Sequence, residues 1–445
     1  MNFVLQNCRI VNEGAVREGD LRVRNGRIAR VGGAITAAAD ETATDAGGRL
    51  LFPGLIDDQV HFREPGLTHK GDIASESRAA AAGGITSFME MPNVVPPTLD
   101  IRRIAEKRAI AAANSRVNYA FYLGASRDNL RDIAAADPSL IAGIKIFMGS
   151  STGGMLVDDE KTLTEIFRAA PTLIAVHCES SPRIRENLSA AKKQYGENIP
   201  AAAHPQIRDA KACAESSHFA RRLAEETGAR LHILHISTAR ELRLFSAGAA
   251  ARKRITCEAC AHHLLFDDSD YAAAGMRLKT NPAIKTRADR DALRRAVAAG
   301  VIDVLATDHA PHLPREKDLP YERAAAGMPL AEYALPAFLR LVADGDLTCP
   351  QLAARAAHSV ADIFAIKDRG YLREGYWADL VLAEETPDGA PPRKTVLSKC
   401  GWTPFSAGAF RHSVHSTFVN GECVWRNGEI NDSVRGAPLE FNRPR

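Results

Sequence analysis

The run Gly54-Leu-Ile-Asp-Asp-Gln-Val-His61, read with Val301-Ile-Asp-Val-Leu-Ala306 far downstream, constrains the fold more than any other feature of the chain. Both runs are short and β-branched, the texture of parallel strands covered on both faces. Each leads into a metal-ligand residue type, His61 at the first and Asp308 just past the second. Between them, strand-like runs at Thr86–Met91, Ala142–Phe147, Leu173–His177 and Arg230–His235 alternate with alanine-rich helical segments such as Glu76–Ala82 and Asp209–Thr227. Alternating strand and helix predicts βα units around a parallel sheet. In a (β/α)8 barrel the active site gathers at the C-terminal ends of the strands, where His61 and Asp308 fall.

At 445 residues the chain exceeds one typical domain. Residues 1–52 read as short alternating strands separated by turns, and the same texture returns after Gly370. The expected division is therefore a catalytic (β/α)8 barrel over 53–369 and a small β-sandwich built from 1–52 and 370–445. Net charge is +3, with both signs interspersed, so there is no basic face for nucleic acid and no polybasic arm for membranes. The eight cysteines are too sparse for a disulfide scaffold. The N-terminus has no signal-peptide pattern, and no apolar run reaches the roughly 20 residues of a membrane span. The expected location is the cytoplasm.

His61, Lys145, His177, His235 and Asp308 each sit at the end or in the late part of a strand-like run. One such histidine is usually a hydrogen-bonded core residue, but five coincidences in order argue for a metal centre. Zinc takes imidazole nitrogen and carboxylate oxygen, and a catalytic site keeps a position open for water. Lys145 is flanked by apolar residues in Gly143-Ile-Lys-Ile-Phe147, where an unpaired ammonium is costly. Either its head pairs with a carboxylate, or its neutral amine has reacted with carbon dioxide to give a carbamate that bridges metals.

The segments Pro53-Gly-Leu-Ile-Asp57, His61-Phe-Arg-Glu-Pro-Gly66, Glu90-Met-Pro-Asn93, Gly143-Ile-Lys145, Val176-His-Cys-Glu179, His235-Ile-Ser-Thr238, Asn281-Pro282 and Thr307-Asp-His-Ala-Pro-His312 together resemble the dihydroorotases of the amidohydrolase superfamily, over essentially the whole chain. The resemblance implies a metallo-hydrolase barrel that closes N-carbamoyl-L-aspartate to L-dihydroorotate in pyrimidine biosynthesis. It implies one or two Zn2+ ions and a carbamate on Lys145. His61, Lys145 and Asp308 would hold one zinc and Lys145, His177 and His235 the other, with a hydroxide between them and Asp308 as acid and base. Arg63, Asn93 and His312 would grip the substrate carboxylate, while Asn281 and the backbone at Ala326 and Gly327 would touch the ring. A homo-oligomer, dimer or tetramer, and association with a transcarbamoylase also belong to that expectation. The guanidinium of Arg63 suits bidentate carboxylate recognition. Standing two residues past His61, it is expected on the same side of an extended strand.

One departure stands out, because the family's His-x-His reads Gln59-Val-His61 here. A carboxamide is a weaker zinc ligand than imidazole, so Gln59 either ligates weakly or leaves its place to water. The alternatives are a hydantoinase or allantoinase, whose substrates lack the carboxylate that Arg63 would bind, and a silent dihydroorotase-like scaffold. Cys257 and Cys260 have zinc-knuckle spacing but lie in a strand-like segment and are expected in the core. Ser150-Ser-Thr-Gly-Gly154 is expected to be a loop beside the substrate, with Thr152 the contact.

Overall fold

Eight short parallel strands follow one another in chain order: Leu55–Val60, Ile85–Glu90, Asn118–Phe121, Ile144–Phe147, Ile174–His177, Leu231–Ile233, Ile255–Cys260 and Val304–Ala306. They come from a computed structural model that describes residues 2–149, 154–386, 396–406 and 408–443. Nearly every strand residue is buried, as expected of strands with helices on one face and a filled barrel on the other. The third strand is interrupted at Tyr122. Its first part pairs with the second strand, and its continuation Leu123–Gly124 pairs with the fourth. Val60 and His309 form a parallel bridge, with His61 N–H donating to the His309 carbonyl at 2.7 Å, so the last strand returns to the first and the ring closes.

Helix starts are marked by short polar side chains. Asp72, Asp100, Asp159, Asp209 and Thr286 each accept a backbone N–H in the first turn of the helix that follows. Such caps satisfy donors that a helix cannot satisfy internally. The helix Ala210–Thr227 matches the segment expected from sequence, with Asp209 as its cap.

The chain ends meet in a nine-stranded sheet. Leu50–Pro53 pairs in parallel with Phe3–Asn12 on one side and antiparallel with Leu380–Glu385 on the other, and His412–Val419 follows. Phe3–Asn12 and His412–Val419 are thus three strands apart, about 14 Å in a flat sheet. Yet the rings of Phe3 and Phe418 stack with centroids 5.3 Å apart. The sheet therefore curls over its own core, which draws Leu5, Leu21, Val23, Leu51, Leu380 and Leu382 from both ends of the chain. Among the described residues, no helix is long and apolar enough to cross a membrane.

Candidate active site at the barrel mouth

Gln59, His61, Lys145, His177, His235 and Asp308 all line one cavity of about 590 Å³ at the C-terminal ends of the strands. His61 and His177 stand at strand ends, while Lys145 projects from mid-strand. His235 and Asp308 lie just beyond their strands in the left-handed region, at φ 40° and 50°. Non-glycine residues held there are uncommon and concentrate at functional sites. The Asp308 turn is pinned by its neighbour His309. The His309 ring faces Glu76 through Nε2 at 2.7 Å and accepts the Leu330 and Ala331 N–H groups at Nδ1.

The histidines of the fifth and sixth strands converge. His177 Nδ1 and His235 Nε2 are 2.9 Å apart, with the rings edge to face. His177 Nε2 donates to Glu179 Oε2 at 2.9 Å, which leaves Nδ1 with its lone pair toward His235. Glu179 is fully buried and also bonded by Arg208. Burial alone would raise its pKa, but Arg208 and His177 outweigh that and hold it down to about 2. Burial, reinforced by His177, keeps His235 neutral, well below the usual histidine range. A carboxylate that fixes the tautomer of an imidazole is the usual support behind a metal ligand. This donor set fits a cation between His177 and His235.

The opposite side of the site is built differently. His61 Nδ1 bonds Asn93 Oδ1 at 2.8 Å, turning Nε2 to Asp308 Oδ1 at 3.1 Å. Gln59 does not present its oxygen there. Its Nε2 donates to the same Asp308 Oδ1 at 3.1 Å, and its Oε1 lies 3.8 Å from the Cys260 thiol. The amide thus occupies an Asp308 lone pair instead of adding one of its own. Asn93, expected from the resemblance at the substrate, has its carbonyl engaged with His61.

Lys145 is only 1% exposed, and its Nζ lies 4.5 Å from the Phe147 ring centroid. Among the described residues no carboxylate oxygen comes within 4.0 Å of it. Burial pushes its pKa down to about 7, so a large share of the amine is neutral near neutral pH.

Arg63 reaches the cavity by another route than the one expected. Its φ is 71°, so the strand has already ended and alternation along an extended chain does not place it. A left-handed turn does. Its Nε donates to the Pro311 carbonyl at 3.2 Å, and its Nη2 lies 3.1 Å from His312 Nε2. The guanidinium is buried and, among the described residues, has no carboxylate within 4.0 Å. At Gly327, with φ 138°, a Cβ would lie 2.7 Å from that of Ala310. That close approach lets the Ala326 carbonyl reach His312 Nε2 at 3.1 Å. Asn281, Ala326, Gly327 and His312 line the cavity, whereas Thr152 lies outside the described residues.

Sequence reasoning left Lys70, Glu179, Arg208 and Lys279 without roles, though all but Glu179 line the cavity and Glu179 supports it. Together with Arg63, the basic side chains of Lys70, Arg208 and Lys279 outnumber the lining carboxylates Asp308 and Glu322. Also unforeseen is a deeper cluster of Asp58, His232 and Glu258, fully buried in the barrel, whose donor atoms lie within 4.8 Å of one another. His232 Nε2 faces Asp58 Oδ2 at 3.2 Å and Glu258 Oε2 at 3.4 Å. Burial alone would push His232 down, but the two carboxylates outweigh it and hold it up, to about 9. The three groups form one buried polar network. It forms the floor of the site, because Glu258 Oε1 accepts the His235 backbone N–H at 3.0 Å. Cys257 and Cys260 are free, buried thiols of the seventh strand, as expected.

The amidohydrolase family profile matches residues 50–424. The dihydroorotase of Halobacterium salinarum is 35% identical over 94% of this chain and 96% of its own length. That of Bacillus cytotoxicus is 32% identical over 96% and 99%. Among solved structures, the L-hydantoinase (dihydropyrimidinase) of Arthrobacter aurescens superposes with a TM-score of 0.92 at 27% identity over 99% of both chains. The dihydropyrimidinase of Brevibacillus agri, at 21% identity and a TM-score of 0.89, shares the fold.

Proposed function

Because this chain belongs to the amidohydrolase family, we propose that it catalyses the dihydroorotase reaction, the reversible closure of N-carbamoyl-L-aspartate to L-dihydroorotate and water. The observation that carries this reading is Arg63, a buried guanidinium facing the cavity without a carboxylate partner among the described residues. A ligand carboxylate is the group that would complete it. Hydantoin and dihydrouracil rings have no such substituent.

The residues that would hold metal are His177 and His235 on one side and His61 and Asp308 on the other. Lys145, as a carbamate, would stand between them. The carbamate forms when the neutral amine attacks carbon dioxide and loses a proton, and burial favours that neutral amine. Zinc at these positions supplies Lewis acidity, lowering the pKa of a water and polarising the ring carbonyl. Gln59 lowers the affinity of the His61 and Asp308 side, since its amide donates to Asp308.

The chain's own groups then divide the remaining work. Arg63 and His312 bind the substrate carboxylate and fix the ring, with the Asn93 amide nitrogen as a further donor. Asp308 takes the proton of the attacking water and delivers it to the ring nitrogen as the C–N bond breaks. In the closing direction it removes the ureido proton. Metal analysis alongside turnover of L-dihydroorotate and hydantoin tests this reading. Bound zinc with turnover of L-dihydroorotate supports it. A metal-free protein without turnover would identify a silent scaffold, and equal turnover of hydantoin a hydantoinase.

A further inference from the structure

His312 is flanked by two donors and two acceptors. Its Nε2 lies 3.1 Å from the Ala326 carbonyl and 3.1 Å from Arg63 Nη2. Its Nδ1 lies 3.2 Å from Lys70 Nζ and 3.7 Å from Glu316 Oε2. A neutral imidazole donates from one nitrogen and accepts at the other. Two arrangements are therefore self-consistent. In the first, Nε2 donates to Ala326 and Nδ1 accepts from Lys70. In the second, Nδ1 donates toward Glu316 and Nε2 accepts from Arg63.

Distance separates the two. The first arrangement makes both of its bonds within reach, whereas in the second the 3.7 Å contact is too long for a hydrogen bond. The outcome matters for Arg63, whose Nη2 hydrogens stay available to a ligand in the first arrangement and lose one to His312 in the second. Resting on the reading of this pocket as a carboxylate site, we propose that Lys70 is a positioning residue: it fixes the Nε2–H tautomer of His312, whose one hydrogen rests on the Ala326 carbonyl, and so keeps Arg63 Nη2 from being taken up by His312 and available to the substrate carboxylate. Sequence spacing gives no hint of this, since Lys70 lies in a loop seven residues beyond Arg63.

The groups facing Lys70 are Arg63, His312 and Glu316, whose Oε1 lies 3.7 Å from Lys70 Nζ and 3.0 Å from His69 Nε2, with Lys317 behind His312. Burial pushes the Lys70 pKa down to about 8, and Arg63 adds to the fall against Glu316. Burial and the Arg63 charge keep His312 neutral. Once deprotonated, the Lys70 amine can accept from Nδ1–H as readily as donate to Nδ1, and the tautomer is no longer selected. The KM for L-dihydroorotate should thus be low below pH about 8 and rise above it.

The test uses Lys70→Met and Lys70→Arg in the zinc-loaded protein. Lys70→Met should raise KM for L-dihydroorotate by about tenfold at neutral pH, the scale of one charge-assisted hydrogen bond. It should change kcat far less, and the rise of KM with pH should disappear. Lys70→Arg should restore a low KM that no longer titrates. Nitrogen-15 spectra of histidine-labelled protein should show His312 shifting from the Nε2–H form toward a mixture in Lys70→Met. Should Lys70→Met fail to fold, the natural protein's pH profile and Lys70→Arg decide. A KM that stays flat from neutral pH to well past about 8, or a natural KM in folded Lys70→Met, overturns the proposal. If Arg63→Met also leaves KM unchanged, the carboxylate reading itself has failed; if Arg63→Met raises KM and Lys70→Met does not, only the role of Lys70 has.

Discussion

Replacing Glu179 by Gln removes one charge and almost no volume, at a group that lies behind His177 and outside the lining of the cavity. The carboxylate takes the His177 Nε2 hydrogen at 2.9 Å and is ionised at any working pH, since its pKa is held down to about 2. Hydrogen bonds to charged groups contribute about 1.5–3 kcal/mol and neutral ones about 0.5–1.5, so the substitution costs roughly 1–1.5 kcal/mol at this bond. A carboxamide can also turn its NH2 to Nε2, which would put the hydrogen on Nδ1 and cancel the lone pair that faces His235. Loss of such a supporting partner typically weakens metal binding by about 10–100-fold, or about 1.4–2.7 kcal/mol. Competition against a chelator of known zinc affinity measures the change. Arg208→Met is the control: it strips the other partner of Glu179 but leaves the His177 bond, so its loss of zinc affinity should be smaller. Unchanged zinc affinity in folded Glu179→Gln would refute the view that Glu179 sets the tautomer of His177.

Two further expectations follow from other contacts. Lys107 and Glu90 form a buried ion pair at 2.6 Å beneath the Met91-Pro92-Asn93 turn, so Lys107→Met should cost about 3–5 kcal/mol, or roughly 3–5 °C in Tm for a chain of this size. Burial already raises the Glu90 pKa and losing Lys107 raises it further; a raised folded pKa favours stability at low pH, so the Tm deficit should narrow toward pH about 4, and Glu90→Gln in the same chain should recover part of it. In the natural protein, mild chelation should remove the cation on the His61 and Asp308 side before the one at His177 and His235, and Gln59→His should tighten the weaker site in a zinc titration. Two equal, tight sites in the natural protein would contradict that order.

The barrel strands were legible because burial on both faces leaves a continuous apolar signature, visible in Ile144–Phe147 and Ile174–His177. The strand Thr42–Asp45 was not, since it is largely exposed and its Thr-Ala-Thr-Asp sequence carries no hydrophobic alternation. Positions at strand ends could be read as a group lining one mouth. Contacts made by loops could not, because a turn such as Arg63 at φ 71° breaks the periodicity on which the reading depends. Arg63 faces the cavity as expected, but by a turn and not by strand alternation. Glu179 stood in plain view two residues from His177, yet nothing in spacing says that a carboxylate there meets an imidazole edge. The Asp58, His232 and Glu258 network is hidden for a related reason: the three side chains meet across separate strands of the barrel, and no local pattern records the pairing.

The most direct measurement compares kcat/KM for L-dihydroorotate with that for dihydrouracil, the same ring without the carboxylate, in the natural protein and in Arg63→Lys. The natural protein should strongly prefer L-dihydroorotate. Arg63→Lys, which keeps the charge but loses the fork, should lower kcat/KM for L-dihydroorotate by roughly 2–4 kcal/mol equivalents, with zinc content and dihydrouracil turnover unchanged. Equal turnover of both rings by the natural protein, or an Arg63→Lys variant that keeps the full preference, would contradict the assignment of Arg63 to the substrate carboxylate.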